Sequence, residues 1–97
     1  MFEAFVSWLR ATHVADVCSA GARDAELVRM DVRPGEPFAV ESRYRFVSRD
    51  AFEAYERDHA ARLRAAGIEE LSRLGAAPGQ GVRFQRTTGV AVAWRSP

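Results

Sequence analysis

Ninety-seven residues with a formal net charge of +1 amount to one domain, residues 1–97, and charges of both signs are scattered without a basic run, which argues against a phosphate-tracking nucleic-acid surface. All fourteen basic residues are arginines, which excludes lysine Schiff-base and P-loop chemistry, and the single cysteine, Cys18, excludes an internal disulfide and makes the cytoplasm the expected compartment. No apolar run approaches the roughly 20 residues a membrane span needs, so neither a signal peptide nor an anchor is expected.

From Phe2 to Val17 the apolar residues Phe2, Phe5, Val6, Leu9 and Val17 fall on one arc of a helical wheel, with Glu3, Ser7 and Arg10 elsewhere. That spacing predicts an amphipathic helix, and Gly21 is its natural left-handed stop. Ala25 to Val32 and Phe38 to Val47 alternate enough for two half-buried strands. Between them, Arg33-Pro34-Gly35-Glu36 predicts a hairpin turn, because proline presets its first central position and glycine accepts a positive φ at the second.

Ser48 is the expected cap of the next helix, with Asp50 in its first turn, where the helix dipole favours negative charge. Phe52, Tyr55, His59, Leu63 and Ala66 share one face of that helix, and Gly67 is its expected break. Ile68 to Leu74 reads as a further short helical turn and Gly75 to Gly81 as a loop. Val82 to Trp94 reads as strand, interrupted at Thr87-Thr88-Gly89. The order helix, strand, strand, helix, strand predicts an α+β fold with two helices on one face of an antiparallel sheet. A chain of this size buries only roughly 60–65% of its unfolded surface, which makes a second copy an expected source of stability.

Two short motifs stand out: Trp8-Leu9-Arg10-Ala11-Thr12-His13-Val14-Ala15-Asp16-Val17 on the first helix and Tyr55-Glu56-Arg57-Asp58-His59-Ala60 on the second, with Arg43-Tyr44 and Ser48 leading into the latter. They resemble the Trp…Glu-His-Ile-Pro-Glu-Val and Tyr…His-Ala-Pro helices of an uncharacterised bacterial family of the dimeric α+β-barrel type. That type is a relative of the ferredoxin-like folds that include small monooxygenases and dye- or ether-degrading helpers. The resemblance covers Phe2 to about Val92. It departs from the pattern at Thr12 and Ala15, which replace the acidic residue and proline of the first motif, and at Ala61, which replaces the proline of the second. It implies a ferredoxin-like domain that pairs its sheet with a second copy, and a β-strand ahead of the first helix, central in the sheet, whereas this sequence opens inside that helix. An upstream start is the favoured expectation for what fills the gap; the alternatives are Val90 to Trp94 folding back as a hairpin and an edge lent by a neighbouring chain.

The chain has two histidines, His13 and His59, each in the middle of an amphipathic helix face directed at the sheet. The structural expectation is a core imidazole with one satisfied hydrogen bond; the functional one is a proton-handling pair, with Tyr44 as a third candidate catalytic group. His13 and Asp16 lie three apart and His59 would be a third ligand, but a helical His13–Asp16 hydrogen bond explains the same spacing, so neither a metal nor any other cofactor is expected. Cys18 stands at a helix C-terminus, where the dipole disfavours a thiolate, and reads as structural. Val40, Ser42, Tyr44 and Phe46 share one strand face and Glu41, Arg43 and Arg45 the other, while Arg29 and Asp31 fall opposite Val28, Met30 and Val32.

With the apolar faces turned to the helices, Arg29, Arg43 and Arg45 are the expected ligand-binding residues, lining a space between two paired sheets that holds an anionic or polar small molecule. An ion-paired, solvated sheet face explains the same residues. Trp8 and Trp94 read as interface aromatics. The functional expectation is a homodimer joined through the sheet face, with a small molecule between the sheets. The alternative is a cofactor-independent, monooxygenase-like enzyme acting on a small aromatic substrate inside a shielded cavity.

Overall fold

The computed structural model describes residues 1–76 and 81–95 and shows an α+β arrangement of three helices and a two-stranded antiparallel sheet. The first helix runs continuously through α1 (Phe2–Trp8), a π-helical turn (Leu9–His13) and α2 (Val14–Ser19). It stops at Gly21, whose φ of 131° is left-handed: Gly21 N–H donates to the Cys18 carbonyl and Ala22 N–H to that of Val17, at 3.1 and 3.2 Å. This Schellman closure leaves Ala22 buried against Val17, so the stop is also part of the core.

Strand β1 (Asp24–Arg29) pairs with β2 (Val40–Arg45). The ladder continues past Arg29, where Met30 N–H donates to Ala39 O at 3.0 Å, and the predicted turn forms with Glu36 N–H donating to Arg33 O at 3.0 Å. Gly35 has the positive φ, 87°, that a type II turn demands at that place. Register places Ala25 opposite Tyr44, Leu27 opposite Ser42 and Arg29 opposite Val40. Directly opposed residues share a sheet face. Arg29 therefore lies on the face of Tyr44, while Val28, opposite Glu41, lies on the other. This corrects the expected facing of β1 by one residue, because the side-chain period is two and the pairing with β2 fixes its parity.

Ser48 caps α3 (Arg49–Asp58) as predicted, its hydroxyl accepting from Ala51 N–H at 3.1 Å. The helix breaks at His59, at φ −133° and ψ −30°, and α4 (Ala60–Arg73) runs straight through Gly67. An interior glycine costs about 1 kcal/mol relative to alanine. Burying a leucine such as Leu71, four residues further on, gains roughly 1.5–3 kcal/mol, so the helix continues. A second Schellman closure ends α4: Ala76 N–H donates to Leu71 O at 2.8 Å and Ala76 is buried.

The helices share one side of the sheet. Val17 of α2, Ala22 and Leu63 of α4 form the central cluster, with Tyr44, Phe46 and Tyr55 packed against it. Glu26, Arg43 and Arg45 on the reverse side are exposed. The predicted strand from Val82 to Trp94 does not form: apart from one bridging residue, Val82, the segment makes no strand. Alternation supplies the pattern of a strand but not its hydrogen-bonding neighbour. Most of the loop expected over Gly75 to Gly81 falls on residues 77–80, outside those described. No helix among the described residues is long and apolar enough to cross a membrane.

Candidate functional site

Two of the three candidate catalytic residues come together and the third does not. His13 closes the π-helical turn, in which Val14 N–H donates to Leu9 O, five residues back. In an ordinary α-helix residues five apart are about 140° apart around the axis and cannot stack. The wider π turn brings them onto one side, and here the Trp8 and His13 rings stack with centroids 5.3 Å apart. Phe5 extends the stack at 5.7 Å from Trp8, and Tyr44 of β2 meets His13 edge-on at 6.5 Å.

Within this aromatic row, His13 Nδ1 and the Tyr44 hydroxyl are buried with no hydrogen-bond partner. A buried polar group without a partner costs roughly 1–3 kcal/mol, so two in one cluster are a feature that packing alone does not explain. Burial holds the pKa of His13 below the usual imidazole range, and the Asp16 carboxylate one turn on opposes that shift. Burial likewise raises the Tyr44 phenol; Ser42, two residues along the same face, opposes the rise without reaching hydrogen-bonding geometry. Both groups are thus held neutral, in the state suited to exchanging a hydrogen bond or a proton.

His59 stands apart, at the break between α3 and α4. An Arg62 guanidinium N–H donates to its Nδ1 at 3.0 Å; a guanidinium has no acceptor, which places the imidazole proton on Nε2. Among the described residues no group of three His, Cys, Asp or Glu side chains gathers, so His13, Asp16 and His59 do not converge.

The three candidate ligand arginines also separate. Arg29, on the helix side, forms a bidentate pair with Glu3 of α1 and lies over the Phe2 ring at 5.5 Å. It fastens the first helix to β1 and is not part of the outer face. On that face Arg45 donates to Asp24 at 2.8 Å, and Arg43 to Glu41 and Glu26 at 2.8 and 3.0 Å. These are exposed pairs, screened by solvent, and they add little to stability. Their consequence is electrostatic: the two guanidiniums are already matched by carboxylates, so the face offers no uncompensated positive charge to an anion.

A groove of about 480 Å³ opens on this face between Asp24, Ala25, Glu26, Arg43, Arg45 and Trp94. A larger one of about 1160 Å³ is mostly apolar, with Phe2 and Phe5 of α1, Phe38 of the hairpin loop and Phe84 of the C-terminal segment among its walls. Neither is lined by His13, His59 or Tyr44. The sequence reading missed the stacking of Trp8 on His13, since nothing in residues 9–13 announces a π turn. It also treated Trp94 as packing, although its alternation with Val90 and Val92 on one strand face was a visible signal. Comparisons with protein-family models, with curated proteins and with solved structures return no match.

Proposed function

We propose that this chain is a homodimeric domain of the dimeric α+β-barrel type, with ferredoxin-like ancestry, that sets its outer sheet face against a second copy and holds a small polar molecule in the groove beside Trp94. The observation that carries this reading is the one-sided burial: helices cover one face of the sheet, while the other presents an ion-paired ladder and a groove walled by an exposed tryptophan. The fully buried core is small, made of Leu9, Val17, Ala22, Ala60, Leu63, Leu71 and Ala76, with no aromatic side chain among them. Large apolar side chains such as Phe38 and Val47, each 74% exposed, remain for a partner to cover. Two carboxylates and two guanidiniums around the groove favour a net-neutral polar ligand over an anion.

The test is the solution mass of the full chain at micromolar concentration, by light scattering. A dimer is expected, and Arg43→Glu, which leaves the ladder with unmatched negative charge, is expected to weaken it at least about tenfold. A monomeric wild-type chain would remove this reading.

The second reading, a cofactor-independent enzyme for a small aromatic substrate, is favoured by one specific observation: the unpartnered His13 Nδ1 and Tyr44 hydroxyl within a single aromatic row. His13 would serve as base and Tyr44 as hydrogen-bond donor to the substrate. Oxygen uptake with a panel of small phenols, compared between wild type and Tyr44→Phe, tests it; no turnover by either protein counts against it.

A further inference from the structure

The C-terminal segment is the part of the molecule that its own chain satisfies least. Phe84, Val90, Val92 and Trp94 are all exposed, Val92 at 97% and Trp94 at 72%. Val90, Val92 and Trp94 alternate with Ala91 and Ala93, the two-residue period of a strand with one bulky face, and valine and tryptophan are strong strand formers. Yet among the described residues the sheet has only two strands, and no strand covers the outer edge of β1. Such an edge presents a row of open N–H and C=O groups, and a two-stranded sheet alone is marginal in water.

Charge points the same way. Residues 82–95 hold three of the fourteen arginines, Arg83, Arg86 and Arg95, and none of the thirteen carboxylates, which leaves the rest of the chain at net −2. β1 carries Asp24 and Glu26, and Asp31 follows it. Trp94 already lines the groove beside Asp24 and Glu26, so the surface that receives the segment exists on every copy.

We propose that Val90 to Trp94 is a strand that pairs with the outer edge of β1 in a second copy of this chain, in a reciprocal exchange about a two-fold axis. Folding the segment onto its own β1 would leave Phe38, Val47 and Met30 uncovered, whereas exchange brings a second body against them and completes both sheets at once. This inference rests on the dimer reading above and adds the element that joins the two copies.

The test uses the full chain. Val92 touches little in its own protomer, so Val92→Pro, which removes a backbone donor and is tolerated poorly inside a sheet, is expected to raise the dimer dissociation constant at least about tenfold with the helical circular dichroism unchanged. Val92→Thr, which keeps strand propensity, is expected to dimerise as wild type does. If Val92→Pro loses its helical signal, hydrogen exchange of the wild type decides instead. Amides of 90–94 protected only at concentrations where the dimer forms support exchange, and protection independent of concentration overturns it. If Arg43→Glu dissociates the dimer but Val92→Pro leaves the dissociation constant unchanged, strand exchange is wrong and the sheet-face dimer stands. A monomeric wild type removes both.

Discussion

The imidazole of His13 meets the phenol ring of Tyr44 edge-on at 6.5 Å, and each ring carries a buried polar atom that nothing in the described chain satisfies. The π turn sets this relationship by stacking His13 on Trp8, and β2 sets it by presenting Tyr44 on the helix side of the sheet. Its consequences are measurable.

Stability should fall on mild acidification. The folded pKa of His13 lies below its ordinary value of 6.5, so the unfolded chain binds a proton more readily than the folded one between those two values. The contribution is intact above about pH 6.5 and is lost as pH falls toward the depressed folded pKa. Thermal melts across that range should show wild type losing stability while His13→Phe loses less. Parallel profiles would mean that the imidazole titrates as it does in water.

Tyr44→Phe deletes a hydroxyl that has no partner and should raise stability, by about 1 kcal/mol, because the ring's packing is kept and the cost of burying the polar atom is removed. Denaturant unfolding measures it. A loss of similar size would reveal a partner for the hydroxyl, such as a buried water.

Gly67→Ala should also stabilise, by roughly 0.5–1 kcal/mol. The residue is helical inside α4 and nothing lies within 4 Å of where its Cβ would be. A destabilised variant would contradict a continuous helix at this position, as would a sharp loss of helical signal.

Leu63→Ala should be the most damaging of these changes. Leu63 is 2% exposed at the centre of the small cluster with Val17 and Ala22, and truncating a buried leucine costs about 2–5 kcal/mol. Against a total stability of roughly 5–15 kcal/mol this is a large fraction, visible as a steep drop in Tm. A shift of less than a few degrees would place the main core elsewhere.

What could be read from the residues was local. The turn at Pro34-Gly35, the Ser48 cap and the stop at Gly21 each depend on a few neighbouring positions whose chemistry is specific, and all three form. The facing of β1 was not legible, because its weak alternation admits either parity and only pairing with β2 decides between them. The break at His59 was hidden for a similar reason: glycine is the stronger local signal, but burial of Leu71 beyond Gly67 outweighs it. Of the candidate site, Arg43 and Arg45 were correctly placed together on the outer face, whereas Arg29 turned inward to Glu3. Bringing His13 to Tyr44 required a helical irregularity that carries no sequence signature.

A π turn holds one residue more than an α-helix of the same rise accommodates, so the first helix has the form of a regular helix lengthened by a single codon. Excising Ala11, exposed within that turn, would let the backbone relax to ordinary winding and swing everything before it by about 100° relative to everything after. Trp8 would leave the imidazole, and Glu3 would be carried out of reach of Arg29. One small insertion therefore couples the aromatic row at one end of the helix to the clasp that fixes its other end.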